Sequence, residues 1–170
     1  GNEKLMKSES IFYTSCKSMG TVVYVACNGV FEGAVVISDT IKDGAKEAIR
    51  DMKQVGVRHT VMLTGDKAEV GEAVAGELGI DIVYADLLPA DKVAKVEELL
   101  GELSGKEKLA FVGDGINDAP VLAGADVGAA MGSGADAAIE AADVVFMNSS
   151  VEAIPQSIAI AKKTGSIAIQ

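Results

Sequence analysis

From Asp39 onward the sequence alternates short apolar runs with longer stretches of helical spacing. No other feature constrains the fold as much, because parallel strands need a crossover between them and a helix is the usual one. Within Asp43 to Val55, Ala45, Ala48, Ile49 and Met52 make an i, i+3, i+4, i+7 stripe. Thr60 to Leu63 reads as a strand ending in Thr64-Gly65-Asp66. The next helix turns Val70, Ala73, Val74 and Leu78 inward and stops at Gly79. Asp81 to Tyr84 is a strand, and Pro89 opens a helix carrying Val93, Val96 and Leu100. Leu109 to Val112 is a strand ending in Gly113-Asp114-Gly115. Strands at Val127 to Met131 and Asp143 to Met147 flank a helix at about 135–141, and Val151 to Lys163 is a last amphipathic helix. The predicted class is α/β, a Rossmann-like three-layer parallel sheet covered on both faces.

The segment ahead of this pattern is different. Residues 11–38 read as strands: Thr21 to Cys27 is β-rich, Asn28-Gly29 is a two-residue hairpin signal, and Val30 to Ser38 is a second apolar run. A boundary near Ser38-Asp39 gives two regions, 1–38 and 39–170.

Composition narrows the function classes. The chain has 170 residues and a formal net charge of −10, which argues against a nucleic-acid or anionic-membrane partner. Aromatics are 4% and Trp is absent, so the core must come from Val, Ile, Ala, Leu and Met. Cys16 and Cys27 have no CxxC spacing, so they read as two reduced thiols and not as a disulfide or zinc framework. No run of apolar residues reaches the roughly 18 needed to span a bilayer, and no signal peptide is visible. On that basis the chain as given is expected to be soluble and cytosolic.

Two segments match in outline: Val61 to Asp66 and Leu109 to Asp114 each deliver a Gly-Asp at a strand's carboxyl end. In open α/β sheets ligands bind at those ends. Thr64 offers a hydroxyl and Gly65 an amide, both suited to a phosphoryl oxygen. Asp114 lies between two glycines, and a hard carboxylate presented this way suits Mg²⁺. Asn117 and Asp118 follow at the start of a helix, whose N-terminus favours anions. Lys92 sits in the first turn of its helix, where the macrodipole disfavours a cation unless it faces negative charge. Together these are the parts needed for phosphoryl transfer. Taken singly, Thr64-Gly65-Asp66 also suits a plain strand-to-helix turn, and Lys92 a solvated helix residue. Packing alone gives little reason for Gly113-Asp114-Gly115 followed by Asn117-Asp118.

Leu63-Thr64-Gly65-Asp66, Leu88-Pro89-Ala90-Asp91-Lys92-Val93 and Val112-Gly113-Asp114-Gly115-Ile116-Asn117-Asp118-Ala119-Pro120 resemble three motifs of the P-type ATPase phosphorylation domain, within the haloacid-dehalogenase-like superfamily. Asp39-Thr40-Ile41-Lys42 resembles that family's hinge, and Gly1-Asn2 with Leu5-Met6 a late strand of the nucleotide-binding domain of heavy-metal pumps. Gly128 to Met131 with Asp136 to Asp143 is most similar to the zinc/cadmium/cobalt branch. The resemblance covers essentially the whole chain. It implies the phosphorylation domain of an ATP-driven heavy-metal pump working through an aspartyl-phosphate, with Mg²⁺ and ATP as cofactors. Thr64, with Gly65 and Asp66, would bind phosphoryl oxygens, and Lys92 would neutralise the aspartyl-phosphate. Asp114 and Asp118 would be metal ligands, Asn117 and Asp118 would position phosphate and metal shell, and Asp39 would lie near the nucleotide.

The sequence also departs from the family. No Asp-Lys-Thr-Gly-Thr motif and no His-Pro pair occurs, and the one histidine, His59, reads as a strand or turn residue. The chain is therefore expected to be a C-terminal piece of a pump's cytosolic region, on the cytoplasmic side of a membrane. Its partners would be the remaining nucleotide-binding, actuator and membrane domains, and it is expected to be inert as an ATPase. Without the nucleophile strand, which the family places between the TGD and GDG strands, two edges lack a partner. The expectation is an altered sheet, strand exchange or dimerisation with another copy, or a partner segment. Two alternatives stand beside this reading. One is a self-contained haloacid-dehalogenase-like phosphatase using Asp39, although Ile41 replaces the usual second acid or Thr. The other is a non-catalytic Mg²⁺- or nucleotide-binding module, which has neither a GxGxxG nor a GxxxxGK[ST] motif to support it.

Overall fold

The computed structural model describes residues 1–16, 20–37, 40–132, 134–148 and 150–168. The chain divides into two compact units, Gly1–Ile41 and Lys42–Gln170, a division that falls inside the segment 39–42.

The first unit holds α1 (Glu3–Ser8) and an antiparallel hairpin of β1 (Thr21–Cys27) and β2 (Val30–Ile37). Asn28 and Gly29 both take positive φ (50° and 80°), the backbone a type I′ turn requires, and Cys27 pairs with Val30. The expected strand at Gly1–Met6 is a helix instead. Asn2 Oδ1 accepts the Leu5 amide at 3.0 Å and Glu3 occupies the first turn. An Asx N-cap with an acid behind it favours helix, and no β-branched residue in this stretch opposes it. Residues 11–16, also expected to be extended, lie outside any strand. A hairpin alone is marginal in water. Here Tyr24 and Met6 are buried, and Tyr13 meets the Tyr24 ring edge-on at 5.0 Å. The Tyr24 hydroxyl donates to Glu3 Oε1 (2.9 Å) and accepts the Cys16 amide (3.2 Å). Cys16 and Cys27 are free thiols.

The second unit realises the strand–helix alternation as α2 (Ala45–Gln54), β3 (Val61–Leu63), α3 (Ala68–Leu78), β4 (Ile82–Tyr84), α4 (Pro89–Glu102) and β5 (Ala110–Gly113). A 3-10 turn (Ile116–Asp118) leads into α5 (Ala119–Gly124), β6 (Val127–Met131), α6 (Asp136–Ala141), β7 (Val144–Phe146) and α7 (Ala153–Ala168). Gly79 ends α3 in the left-handed region at φ 76°, its amide donating to Ala75 O. The buried residues of α3 are Gly71 and Ala75, and Ala73 is exposed: the helix packs through its smallest residues, one position off the apolar stripe. A Cβ on Gly71 would already lie 3.1 Å from Thr64 Cγ2.

All pairings in this unit are parallel, but the strands fall into two sheets, β3-β4 and β5-β6-β7. Among the described residues no ladder joins β3 to β5. The sheet is thus interrupted where the sequence had suggested an empty strand position. The main core lies around β6, where Leu122, Ala130 and Ala138 are fully buried and packed by Phe111, Ile139, Ala141 and Ala142. Small residues let α5 sit almost on the sheet: a Cβ on Gly128 would lie 2.4 Å from Leu122 O.

One device recurs at the amino ends of the strands. Asp81, just before β4, accepts the Thr60 amide (2.8 Å) and hydroxyl (2.7 Å). Asp126, before β6, accepts the Leu109 amide (3.0 Å). Asp143, before β7, accepts the Gly128 amide (2.8 Å). Each carboxylate holds the entry of the neighbouring strand, satisfying a donor the ladder leaves open.

Candidate functional site

The carboxyl ends of β3 and β5 carry the predicted chemistry. Thr64 follows β3 and is anchored by its amide to Tyr84 O (3.0 Å), while its carbonyl accepts the Leu87 amide (3.1 Å). Its hydroxyl donates to Asp66 Oδ2 (2.8 Å) and accepts the Asp66 amide (3.1 Å), closing a tight turn. Gly65 is exposed, and a Cβ there would stand 3.2 Å from Leu87 O.

The loop that buttresses Thr64 leads directly into α4. Pro89 opens that helix, and Asp91 Oδ2 accepts the Leu88 amide at 2.9 Å, half of a capping box. With the macrodipole's preference for an acid met by Asp91, Lys92 is free to turn elsewhere. Its Nζ lies 3.0 Å from Asp118 Oδ1, with the two side chains only 20% and 12% exposed. That contact carries α4 onto the loop after β5.

Asp118 does two further things. Its Oδ2 accepts the Gly115 amide (3.1 Å), and its own amide donates to Gly115 O (3.0 Å). Gly113 and Gly115 are needed for this grip, since a Cβ on either would stand 2.9 to 3.0 Å from Asp118 side-chain atoms. Asp118 is buried, Asn117 is exposed, and Asp114 is exposed between its two glycines. The Asp114 carboxylate makes no hydrogen bond or ion pair among the described residues.

The structure therefore ties Lys92, Asp118 and the Asp114 loop into one cluster, with Thr64-Gly65-Asp66 joined to it through the loop before α4. No hydrogen bond links Thr64 directly to the Asp114 loop among the described residues. Asp39 lies outside the described residues. Sequence reasoning missed one contributor, the turn after β6: the Ala135 amide donates to Asp114 O at 2.9 Å. The closely spaced Gly132 and Gly134 were its signal.

As a metal site the donors are sparse. No group of three or more His, Cys, Asp or Glu side chains converges among the described residues. A sparse set of this kind suits Mg²⁺, which keeps several waters and takes one or two carboxylates beside phosphate oxygens. Asp114 fits such a role through its unpartnered carboxylate, whereas the Asp118 oxygens are already engaged.

A haloacid dehalogenase-like hydrolase family model matches residues 1–126. The chain belongs to the haloacid dehalogenase-like hydrolases. Two curated relatives are 52% identical over 171 aligned residues, each alignment spanning all of this chain and 24% of the relative. They are a cadmium, zinc and cobalt-transporting ATPase from Bacillus subtilis and a zinc-transporting ATPase from Synechocystis. The chain thus spans about a quarter of the length of the curated relatives it matches. A crystal structure of a zinc-transporting PIB-type ATPase in its E2.Pi state superposes with TM-score 0.74 at 37% identity, over 96% of this chain and 25% of that one. The haloacid dehalogenase-like fold accounts for the parallel strands. Among the described residues no helix is long and apolar enough to cross a membrane.

Proposed function

We propose that this haloacid dehalogenase-like chain is the phosphorylation-domain part of an ATP-driven heavy-metal cation pump of the zinc/cadmium/cobalt type, preceded by a strand-bearing portion of its nucleotide-binding domain. The observation that carries this reading is the Lys92–Asp118 pair at 3.0 Å. It brings a lysine from one strand–helix unit onto the Gly-Asp-Gly loop of the next, where an acyl-phosphate could be neutralised and held. The 52% identity to zinc- and cadmium-type ATPases supports the branch.

In this reading the residues divide the work. Lys92 offsets charge on the phosphoryl group, and Asp118 keeps that lysine extended while fixing the Gly115 amide. The Thr64 hydroxyl, now donating to Asp66, reorients to donate to a phosphoryl oxygen, and the Gly65 amide adds a second donor. Asn117, exposed in the turn after Asp114, contacts the phosphate or its hydration shell. Asp114 holds Mg²⁺, which would supply charge neutralisation across the transferring phosphoryl oxygens. Asp39 belongs to the hinge beside the nucleotide. A strand bearing the nucleophilic aspartate occupies the interruption between β3 and β5. The domain lies on the cytoplasmic side of a membrane, and its partners are the other domains of the pump.

The test is phosphorylation of the 170-residue chain with γ-labelled ATP and Mg²⁺, read as acid-stable, hydroxylamine-labile label. No label is expected from the chain alone, and label is expected on a supplied polypeptide bearing the Asp-Lys-Thr-Gly-Thr strand. A hydroxylamine-labile label on the chain alone would sink this reading and leave a self-contained phosphotransferase with Asp39 as nucleophile.

A further inference from the structure

We propose that Gly134 and Ala135 are positioning residues for Asp114, fixing the main chain that presents its carboxylate; this inference rests on the reading of Asp114 as the Mg²⁺ ligand. Asp114 lies between two glycines, so its own loop has little intrinsic stiffness. Asp118 restrains it on one side by gripping the Gly115 amide. The other side is held by the turn after β6.

There the Ala135 amide donates to Asp114 O at 2.9 Å, and the Gly134 amide turns back to Met131 O at 2.8 Å. The fit leaves no room for a side chain. A Cβ on Gly134 would lie 2.6 Å from Asp114 O, 3.0 Å from Asp114 Cα and 2.9 Å from Met131 O. All three are backbone atoms, which cannot swing aside. Gly132 is equally tight against the end of β7, where a Cβ would lie 2.7 Å from Met147 Cα and O, and its amide donates to Phe146 O (2.8 Å). Gly132 is thus held against the exit of β7 and Gly134 against the Asp114 backbone, and any substitution at Gly134 must push Asp114. Groups that orient a metal ligand without touching the metal usually change affinity by about 10- to 100-fold.

The test uses the 170-residue chain and Mg²⁺ alone, titrated while following the Gly113 and Gly115 amide resonances. Ala135 has φ −66°, the value proline imposes, so Ala135→Pro keeps that backbone angle while it removes the N–H to Asp114 O and sets its ring Cδ against that oxygen. Gly134 before it tolerates the pre-proline restriction. Ala135→Pro is expected to bind Mg²⁺ about tenfold more weakly with unchanged helix content and a lowered thermal midpoint. Ala135→Ser, which keeps the N–H, should retain wild-type affinity. A folded Ala135→Pro variant with wild-type affinity overturns the proposal. If that variant does not fold, Gly134→Ala decides on the same scale: tenfold weaker binding supports the proposal, and wild-type binding overturns it. A wild-type chain whose Mg²⁺-induced shift changes match those of Asp114→Asn at every Mg²⁺ concentration removes the metal-ligand reading itself, a different failure from the one above.

Discussion

The two ends of the parallel strands use the same residue type in opposite ways. At the amino ends, Asp81, Asp126 and Asp143 reach sideways and hold the first amides of the adjoining strand. Two of them are also paired with lysines, Asp81 with Lys53 at 2.6 Å and Asp126 with Lys108 at 2.7 Å. At the carboxyl ends, Asp66 closes a turn with Thr64, while Asp114 stands exposed with its carboxylate unengaged. Asp118 is the intermediate case, buried and bonded yet facing the site through Lys92. A carboxylate's role is therefore set by what meets it. One consumed by amides and lysines supports the fold, and one left open can hold a cation or phosphate shell.

Two of the amino-end carboxylates are held down in pKa by the groups they bind. Lys53, with help from the Thr60 amide and hydroxyl, holds Asp81 well below the usual carboxylate range. Lys108, then the Leu109 amide, lowers Asp126. Perturbed carboxylates often mark functional sites, but these mark strand entries at the opposite end of the sheet from the proposed site.

Breaking the comparison at its open end should give the largest effect. Asp114→Asn is expected to cost roughly 100-fold in Mg²⁺ affinity while stability changes by no more than about 0.5 kcal/mol, by titration and urea unfolding. A large stability loss would instead class Asp114 with the amino-end carboxylates. Asp118→Ala should destabilise by about 2–3 kcal/mol, because a mostly buried Lys92 and the Gly115 amide both lose their partner. Asp81→Ala is expected to cost about 1–2 kcal/mol in urea unfolding and to leave Mg²⁺ affinity unchanged; a change in affinity would couple the two ends. The smallest effect should be acid sensitivity. Asp81 and Asp126 have depressed folded pKa values, so their stabilisation is complete above the unfolded carboxylate pKa of about 3.9 and is lost as pH falls toward the folded values. The thermal midpoint should drop below about pH 4, and an Asp81→Asn, Asp126→Asn double variant should show a shallower drop.

Much of the element order was legible because its signals are local. The stripe on α2, the Gly79 stop, Pro89 at the head of α4 and Asn28-Gly29 each act within a turn or two. The Gly1–Met6 segment was misread because a family pattern outweighed a local Asn2 cap that pointed to helix. Ala73 was misassigned because close packing through Gly71 and Ala75 rotated α3 off its apolar stripe. In the site, Thr64, Lys92, Asp114 and Asp118 stood out by chemistry and spacing. The Ala135 amide did not, because a backbone donor has no signature of its own and only the closely spaced Gly132 and Gly134 pointed to it.

Sequence alone determined which segments become strands and helices and which residues end them, since both depend on side-chain periodicity and on backbone freedom at a few glycines and prolines. Tertiary structure decided what those ends touch. The Lys92–Asp118 pair spans 26 residues of sequence and the Asp81–Thr60 clamp spans 21. Such contacts form only once the helices pack, because each takes its geometry from elements distant in the chain.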